Sequence, residues 1–345
     1  MKRHSGLAWL WFPLLASLAW SCSGNNSSSP SAPAILTFSS GGNYPEGIGI
    51  DKSDNVWIAN RYSRQVAELS NAGALINTFA VGVEPHGLKI DRANSQNIWV
   101  QNVAGGGPGA PASCPNNTSG TVTALAADGS LIGTFCTGGT GPQHAQFDSS
   151  GNIWVTNQGS NTVSELSGAG TFINTFQTGT NPHAIARDQS GNFWIGNYYS
   201  GTVTVLKPDG SFYAAIDNVG LQPTGNDIDP SGSLWQSVQS LNAVAVFAAP
   251  PSFAPIRSES VGFAPRGVTI DNAGNVFVAN RQSNDVLEFN SSGTQVNQFQ
   301  VGACPENMAI DSKGDLWVSN SCSSTVSVIK GVAVPSPNGD DDSNG

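Results

Sequence analysis

The sequence repeats a unit of about 40 residues, and this repeat constrains the fold more than any other feature. One proline anchors each unit, and successive prolines are 40, 57, 40, 41, 42 and 40 residues apart. An aspartate follows each proline by six residues, and a Gly-Asn-type turn and a β-rich run come next. The prolines are Pro45, Pro85, Pro142, Pro182, Pro223, Pro265 and Pro305. A fixed period of this length is typical of propellers and solenoids.

Each unit contains four short runs with the composition of β-strands, separated by turn residues. Seven such units predict an all-β fold, a seven-bladed β-propeller of four-stranded blades over residues 34–330. The last unit lacks its fourth strand, and the segment Ile35 to Phe38 has the matching pattern. We therefore expect this N-terminal strand to complete the last blade and close the ring, which removes the open sheet edges.

One aromatic position recurs in every unit and holds all six tryptophans outside the first 22 residues. The residues are Trp57, Trp99, Trp154, Trp194, Trp235, Phe277 and Trp317. A large side chain repeated in this way is predicted to pack between adjacent sheets. The recurrent aspartates are predicted to cap tight turns.

The two ends of the chain differ from the repeat region. Residues 1–22 have a positive start and an apolar run, the pattern of a signal peptide, and Cys22 lies where a bacterial lipoprotein is cleaved and lipidated. Residues 23–33 are predicted to be a flexible tether and residues 331–345 a disordered acidic tail. The chain is therefore predicted to be exported and lipid-anchored to the cell envelope, or, after ordinary cleavage, periplasmic or secreted.

Four further cysteines remain, an even number that suits an oxidising compartment. The second unit carries an insertion of fourteen residues, with Cys114 in it, between its second and third strands. The ends of second and fourth strands and the starts of first strands all lie on one face of a propeller. This placement predicts the disulfides Cys114–Cys136 and Cys304–Cys322.

The charge of the chain limits its partners. The sequence has 24 acidic and 14 basic residues, with a net charge of −10, which disfavours nucleic acid as a partner. We expect a monomer that contacts the membrane only through a lipid anchor. A small molecule, peptide or glycan is the expected partner at the loop face.

The residues directly after the prolines begin the innermost strands and are predicted to surround one mouth of the central channel. Three of the four histidines of the chain fall there, on consecutive blades. The predicted ring contains Glu46, His86, Gln143, His144, His183, Thr224, Arg266 and Glu306, with Glu84 beside His86. Neutral imidazoles and a carboxylate could hold a divalent metal, or one imidazole could act as a general base. The structural alternative is a set of polar side chains that hydrogen-bond turn backbones at the channel mouth.

The unit resembles a known family. Pro-His-Gly-Leu or Pro-His-Ala-Ile, then an aspartate, then Gly-Asn-(Ile/Phe)-Trp-(Val/Ile), is similar to the streptogramin B lyase (virginiamycin B lyase) group and, more loosely, to NHL-repeat propellers. The resemblance covers residues 34–330. It implies a Mg²⁺-dependent site that opens a cyclic depsipeptide by elimination across an ester C–O bond. Glu84-Pro85-His86 matches one segment of that site, and Pro182-His183-Ala184-Ile185 matches the other.

Two classes of function follow from these patterns. In the first, the protein is a C–O lyase-like enzyme with His86 or His183 as general base. His86, His144, His183 and Glu84 then hold Mg²⁺ or another divalent ion, and Arg266 contacts an anionic substrate group. In the second, it is a non-catalytic propeller that binds a glycan, peptide or protein. The clustered histidines favour the enzyme, whereas the order of the two matching segments along the chain differs from the family's and favours the binding module.

Overall fold

A computed structural model describes residues 32–114 and 119–335 of the chain. The predicted signal peptide 1–22, the lipidation site Cys22 and nearly all of the predicted tether 23–33 lie outside the described residues. The described residues from Pro33 onward form one compact body. It is an all-β propeller of seven four-stranded antiparallel sheets, as the repeat predicts.

The strands follow the repeat closely. In chain order they are β1 Ile35–Ser39, β2 Pro45–Ile50, β3 Val56–Asn60, β4 Gln65–Leu69, β5 Leu75–Ala80, β6 Pro85–Ile90, β7 Ile98–Asn102, β8 Thr121–Leu125, β9 Leu131–Cys136, β10 Pro142–Phe147, β11 Ile153–Asn157, β12 Thr162–Leu166, β13 Phe172–Gln177, β14 Pro182–Arg187, β15 Phe193–Asn197, β16 Thr202–Leu206, β17 Phe212–Ile216, β18 Pro223–Ile228, β19 Leu234–Val238, β20 Ala243–Phe247, β21 Pro255–Ser260, β22 Pro265–Ile270, β23 Val276–Asn280, β24 Asp285–Phe289, β25 Gln295–Gln300, β26 Pro305–Ile310, β27 Leu316–Asn320 and β28 Thr325–Ile329. Two 3₁₀ helices, Arg61–Ser63 and Gln239–Leu241, follow the second strands of blades 1 and 5.

The ring closes through the N-terminal strand. The last sheet has the order β1-β28-β27-β26, and β1 pairs antiparallel with β28 from Ile35 opposite Ile329 to Ser39 opposite Thr325. Phe38 packs on Gly73 of blade 1 just as Phe79 packs on Gly129 of blade 2. Both glycines have φ of +78°, and a Cβ at Gly73 would lie 2.3 Å from the Phe38 ring. Strand β1 therefore forms the fourth strand of the last blade, and the predicted closure of the ring is confirmed.

The first strand of each blade lies innermost and contacts the first strands of its neighbours around the channel. Each of these strands starts at its anchoring proline and ends just before its aspartate. We call the end where they start the upper face and the opposite end the lower face. A strand of six residues spans about 16 to 20 Å, which is the distance that separates the two faces at the channel.

The core lies between the blades and contains the recurrent aromatic position. All six tryptophans there and Phe277 are fully buried. The aspartate of the same blade accepts a hydrogen bond from the indole Nε1 in five blades, for example Asp51 from Trp57 at 2.9 Å. The same carboxylates also accept turn backbone N–H groups, as predicted, so each aspartate joins a turn to the core.

The two predicted disulfides, Cys114–Cys136 and Cys304–Cys322, are present. They indicate an oxidising environment. The described parts of the long blade-2 loop lie against the blade: the Thr121 hydroxyl donates to Gly106 O, and the Thr134 hydroxyl donates to Pro108 O, both at 2.7 Å. In residues 32–114 and 119–335 there is no helix with the length and apolar character needed to cross a membrane.

The first residues of the predicted C-terminal tail contact the propeller. Residues 331–335 lie on the lower face between blades 6 and 7, where Val332 and Ala333 pack on the core. Val334 N donates to Asp271 Oδ2 at 2.9 Å, and Asn272 N donates to Val334 O. Blade 6 has Phe277 in place of tryptophan, so Val334 supplies the donor that the indole supplies elsewhere. Residues 331–335 therefore pack against the propeller, whereas residues 336–345 lie outside the described residues.

Candidate functional site

Three histidines from consecutive blades meet at the upper mouth of the channel. The ring centroids of His86 and His144 are 4.9 Å apart, those of His144 and His183 are 4.7 Å apart, and those of His86 and His183 are 5.6 Å apart. The structure therefore brings together the three imidazoles that the repeat placed in one ring.

A bulge at the start of each first strand turns these side chains toward the channel. In all seven blades the pairing register shifts between the proline and the third residue after it. Such an extra residue bends the strand and re-aims its side chains. His86 and His183 follow their prolines directly, whereas His144 is one residue further on. Gln143 takes the equivalent first place in blade 3 and donates instead to Gln158 Oε1 at 3.2 Å.

The three imidazoles are buried and neutral. Burial is the main cause that lowers the pKa of each, to about 3 for His144 and well below the usual 6.5 for His86 and His183. His144 Nδ1 lies 3.1 Å from His183 O, and because a carbonyl can only accept, Nδ1 carries the proton. His144 Nε2 is then an acceptor, and it has no hydrogen-bond partner. His86 Nδ1 and His183 Nδ1 are buried without partners too.

The carboxyl group beside the histidines belongs to Glu46. Its Oε2 lies 3.4 Å from His86 Nε2, and its Oε1 lies 3.2 Å from Arg61 Nη1. Burial, reinforced by the nearby Glu306 carboxylate, raises the pKa of Glu46 to about 7, although Arg61 and Arg266 lower it. Glu46 is therefore close to half protonated at neutral pH, whereas an exposed glutamate would be ionised.

Glu84, the predicted metal ligand, is placed differently. Its Oε2 lies 2.7 Å from Arg61 Nη2, and its side chain is 40% exposed. The residue before each anchoring proline has a positive φ, which is 54° for Glu84, so this position belongs to the turn that enters the strand. The structure thus places Glu46 next to His86 and pairs Glu84 with Arg61.

The other side of the mouth is a network of arginine and glutamate. Glu306 Oε2 lies 3.2 Å from Arg266 Nε, and Glu306 Oε1 lies 2.6 Å from Arg281 Nε. Arg281 also donates to the Tyr44 hydroxyl at 2.7 Å. Arg266, which was predicted to contact an anionic substrate, is therefore engaged by Glu306, and Thr224 is engaged by Ser237 and by Pro265 O.

Sequence reasoning missed Arg61 and Arg281. Both follow the last residue of the second strand in their blades, and the residues there in the other five blades are uncharged. Arg61 is in the blade that carries Glu46, and Arg281 is in the blade before that of Glu306. The recurrence of arginine at this repeat position could have predicted the two ion pairs.

The space inside the mouth is small. A cavity of about 10 Å³ lies among Glu46, the three histidines, Arg266 and Glu306, which is about enough for one water molecule. Within the part of the chain that the structure describes, no three or more His, Cys, Asp or Glu side chains are arranged to hold a metal ion. The donors here are imidazole nitrogens and the carboxyl groups of Glu46 and Glu306, which arginines already engage, whereas Mg²⁺ prefers several free oxygen ligands. The site therefore does not fit the Mg²⁺ that the family resemblance implies.

Large apolar side chains lie exposed around this polar mouth. They come from the loops of the upper face and are 58 to 65% exposed: Tyr62, Tyr199, Leu221, Leu241 and Phe263. Four of the five come from blades 4 and 5 and from the turn into blade 6, so they form an arc on one side of the mouth. We call Tyr199, Leu221, Leu241 and Phe263 the apolar arc. Exposed apolar groups that are clustered in this way are typical of binding surfaces.

No protein-family model matches the chain, and no curated protein matches its sequence. Its fold is similar to that of solved propellers. A catalytically inactive histidine-to-alanine variant of virginiamycin B lyase from Staphylococcus aureus, solved with quinupristin, is 13% identical, with a TM-score of 0.74, over 86% of this chain and 99% of that one. A streptogramin B lyase structure is 15% identical, with a TM-score of 0.71, over 86% and 97%. Hydrazine synthase from Kuenenia stuttgartiensis is 12% identical, with a TM-score of 0.70, over 90% and 100%. These similarities establish the fold, which resembles that of the streptogramin B lyases, and because hydrazine synthase shares it, the fold alone does not specify a reaction.

Proposed function

We propose that this protein is an exported propeller that binds a small amphipathic peptide on its upper face without cleaving it. The observation that carries the proposal is the apolar arc beside a mouth of buried polar side chains. Ligand sites commonly combine apolar and aromatic contacts with a few polar groups that orient the ligand. Here Tyr199, Leu241 and Phe263 would cover the apolar part of the ligand.

The polar half of the surface suits a peptide. Arg61 pairs with Glu46 and Glu84, and Arg266 and Arg281 pair with Glu306, so charges of both signs are present at the mouth. Peptide groups carry both hydrogen-bond donors and acceptors, and they can use both halves of this network. A strongly charged ligand would gain from only one half.

Burial of the basic atoms argues against the lyase reaction. A general base must approach the proton that it removes to about 2.6 to 3.2 Å, directly or through one water. His86 Nδ1, His183 Nδ1 and Glu46 Oε2 are buried away from the surface on which a peptide would lie. In this arrangement these three atoms are therefore not placed to act as the base in the chemistry that the family resemblance implies.

Binding of a nitrogen-preferring divalent ion is a second candidate. His86, His144 and His183 each have a buried ring nitrogen without a partner, and imidazole suits zinc and copper. The rings would have to turn for these nitrogens to converge. Such an ion would stabilise the native state by mass action, so the melting temperature should rise with Zn²⁺ concentration if this candidate is right.

Export is part of the proposal. The signal-peptide pattern and Cys22 suggest a lipid anchor on the cell envelope, and the two disulfides support an oxidising compartment. Mass spectrometry of the mature N-terminus after expression in a bacterial host would test this directly. A diacylglyceryl group on Cys22 is the expected result, and an uncleaved N-terminus would contradict it.

Quinupristin, an amphipathic cyclic depsipeptide, is a suitable probe for the main proposal. Calorimetry should detect binding to the purified protein, and Phe263→Ala should weaken it about fivefold or more, as expected when an interface aromatic residue is truncated. The matched control is Ile76→Ala, because Ile76 is 52% exposed on an outermost strand away from the mouth.

Chromatography of the same mixtures with Mg²⁺ present separates binding from turnover. We expect quinupristin to remain cyclic. Ring opening would refute the non-catalytic proposal, and the absence of any binding would refute a peptide ligand of this class.

A further inference from the structure

A second cavity, larger than the one among the histidines, lies at the lower mouth of the channel. It has a volume of about 360 Å³, within the range of small-molecule sites. Its lining consists of the last residues of the first strands of blades 2 to 5, together with the turns that follow these strands in blades 2 and 3. The lining includes the cations Lys89, Arg92 and Arg187.

Arg92 departs from the repeat in a way that the blade itself explains. The residue after the recurrent aspartate is exposed in six blades, and only Arg92 is buried, at 7% exposure. Blade 2 has two extra residues in this turn, between Asp91 and Trp99. Asp91 therefore accepts hydrogen bonds from the backbone N–H groups of Asn94 and Ser95, and the turn has a different backbone path from the other blades. The insertion thus brings the guanidinium into the cavity wall.

The Arg92 side chain lacks the partners that a buried cation needs. Its Nε and Nη1 are buried without a hydrogen bond. An unpaired buried donor costs free energy, and a buried charge costs more, so such groups normally indicate a ligand or ion.

Arg187 is a second departure at the same mouth. The residue before the recurrent aspartate is isoleucine or phenylalanine in the other six blades and packs between the sheets. In blade 4 it is Arg187, which lines the cavity and whose Nε is also buried without a hydrogen bond. Arg92 and Arg187, which belong to different blades, therefore both line the cavity with guanidinium N–H groups that have no hydrogen-bond partner.

Three carboxylates line the cavity as well, but their oxygens are engaged. Asp91 accepts from Asn94 and Ser95, and Asp148 accepts from Ser150, Asn152 and Trp154. Asp227 accepts from Ile228 N at 2.8 Å and from Ile270 N at 2.9 Å, which ties it to the next blade. The unmet hydrogen-bonding capacity in the cavity is therefore mainly that of donors.

We propose that this lower cavity binds a small oxyanion, the carboxylate or phosphate group of a metabolite-sized molecule, between Arg92 and Arg187. Guanidinium groups bind both kinds of oxyanion with charge-assisted hydrogen bonds. The site is independent of the upper face, so it can be present whether or not that face binds a peptide.

The test measures binding of citrate, succinate and inorganic phosphate to the purified protein by calorimetry, with sodium chloride at equal ionic strength as the reference. Citrate or phosphate should bind with measurable heat and raise the melting temperature above the chloride reference. Stronger binding of the carboxylates or of phosphate would identify the headgroup.

Arg92→Gln and Arg187→Gln should each weaken binding about 10- to 100-fold, the effect of losing one charged hydrogen-bonding group. Arg64→Gln is the matched control, because Arg64 is exposed on the upper face and its loss changes the net charge equally. The proposal is wrong if neither carboxylates nor phosphate bind better than chloride, or if Arg92→Gln and Arg187→Gln both bind as the wild type does. If Arg92→Gln fails to fold, the wild-type titration and Arg187→Gln still test whether the lower cavity binds an oxyanion.

Discussion

Acidification from pH 7.5 to 5.0 should destabilise the protein through its three buried histidines. In the native state burial keeps His86, His144 and His183 neutral, because their pKa values lie far below the usual 6.5. In the unfolded chain they take up protons as the pH falls through about 6.5. Each therefore removes up to about 2 kcal/mol from the free energy of unfolding by pH 5.0, or up to about 6 kcal/mol together.

Glu46 opposes this loss. Its pKa is raised to about 7 in the native state, from an ordinary 4.5, so between these values the native state holds a proton that the unfolded state lacks. Stability from this group is present at low pH and is lost as the pH rises toward 7. Acidification to pH 5.0 regains about 2 kcal/mol from Glu46, which leaves a net loss of up to about 4 kcal/mol from the four groups.

Urea unfolding at the two pH values tests the assignment through differences between variants. His144→Gln should lose about 2 kcal/mol less than the wild type on acidification, and Glu46→Gln should lose about 2 kcal/mol more. Gln158→Ala, on the same face but without a titrating group, is the control and should follow the wild type. If His144→Gln and the wild type show the same pH dependence, His144 is protonated in the native state and the reasoning fails.

Three further outcomes test the fold. Deleting residues 34–40 removes the β1 pairing with β28 and the Phe38 packing, and it should lower the melting temperature by about 10 °C. Leu36→Ala, at an exposed position of the same strand, should change it little, and an unaltered melting temperature after the deletion would contradict closure through β1. Trp57→Phe should cost about 1 to 2 kcal/mol more than Trp99→Phe in urea unfolding, because of these two indoles it is Trp57 that donates to the aspartate of its blade. Equal costs would mean that this bond contributes nothing. Cys136→Ser should reduce the free energy of unfolding by about 3 kcal/mol and speed proteolysis in the loop 103–120. Cleavage at the wild-type rate would show that the disulfide does not restrain the loop.

The sequence alone was sufficient for the architecture because most contacts in a propeller repeat with the chain. Every strand of a blade pairs with a strand near it in sequence, and the one long-range pairing, β1 with β28, could be found because the last unit lacked a strand. The cysteine pairs followed from the same logic, since strand direction alone decides which loops share a face. The gathering of three histidines at one mouth was likewise a consequence of the repeat position.

Tertiary structure decided which of those side chains act on one another. The motif pointed to Glu84, but the turn before Pro85 directs Glu84 to Arg61, and Glu46 from the preceding blade lies beside His86. The pKa values of the cluster depend on burial by several blades, which no local pattern reports.

The orientation of Arg92 at the lower mouth was likewise decided by the tertiary structure. The two-residue insertion in blade 2 was visible in the sequence, but the direction in which it sends the Arg92 side chain was not. A repeat specifies where each backbone position lies in the ring. The orientation of a side chain at a bulge or an altered turn depends on the space and charges that neighbouring blades present, and only the folded structure contains that information.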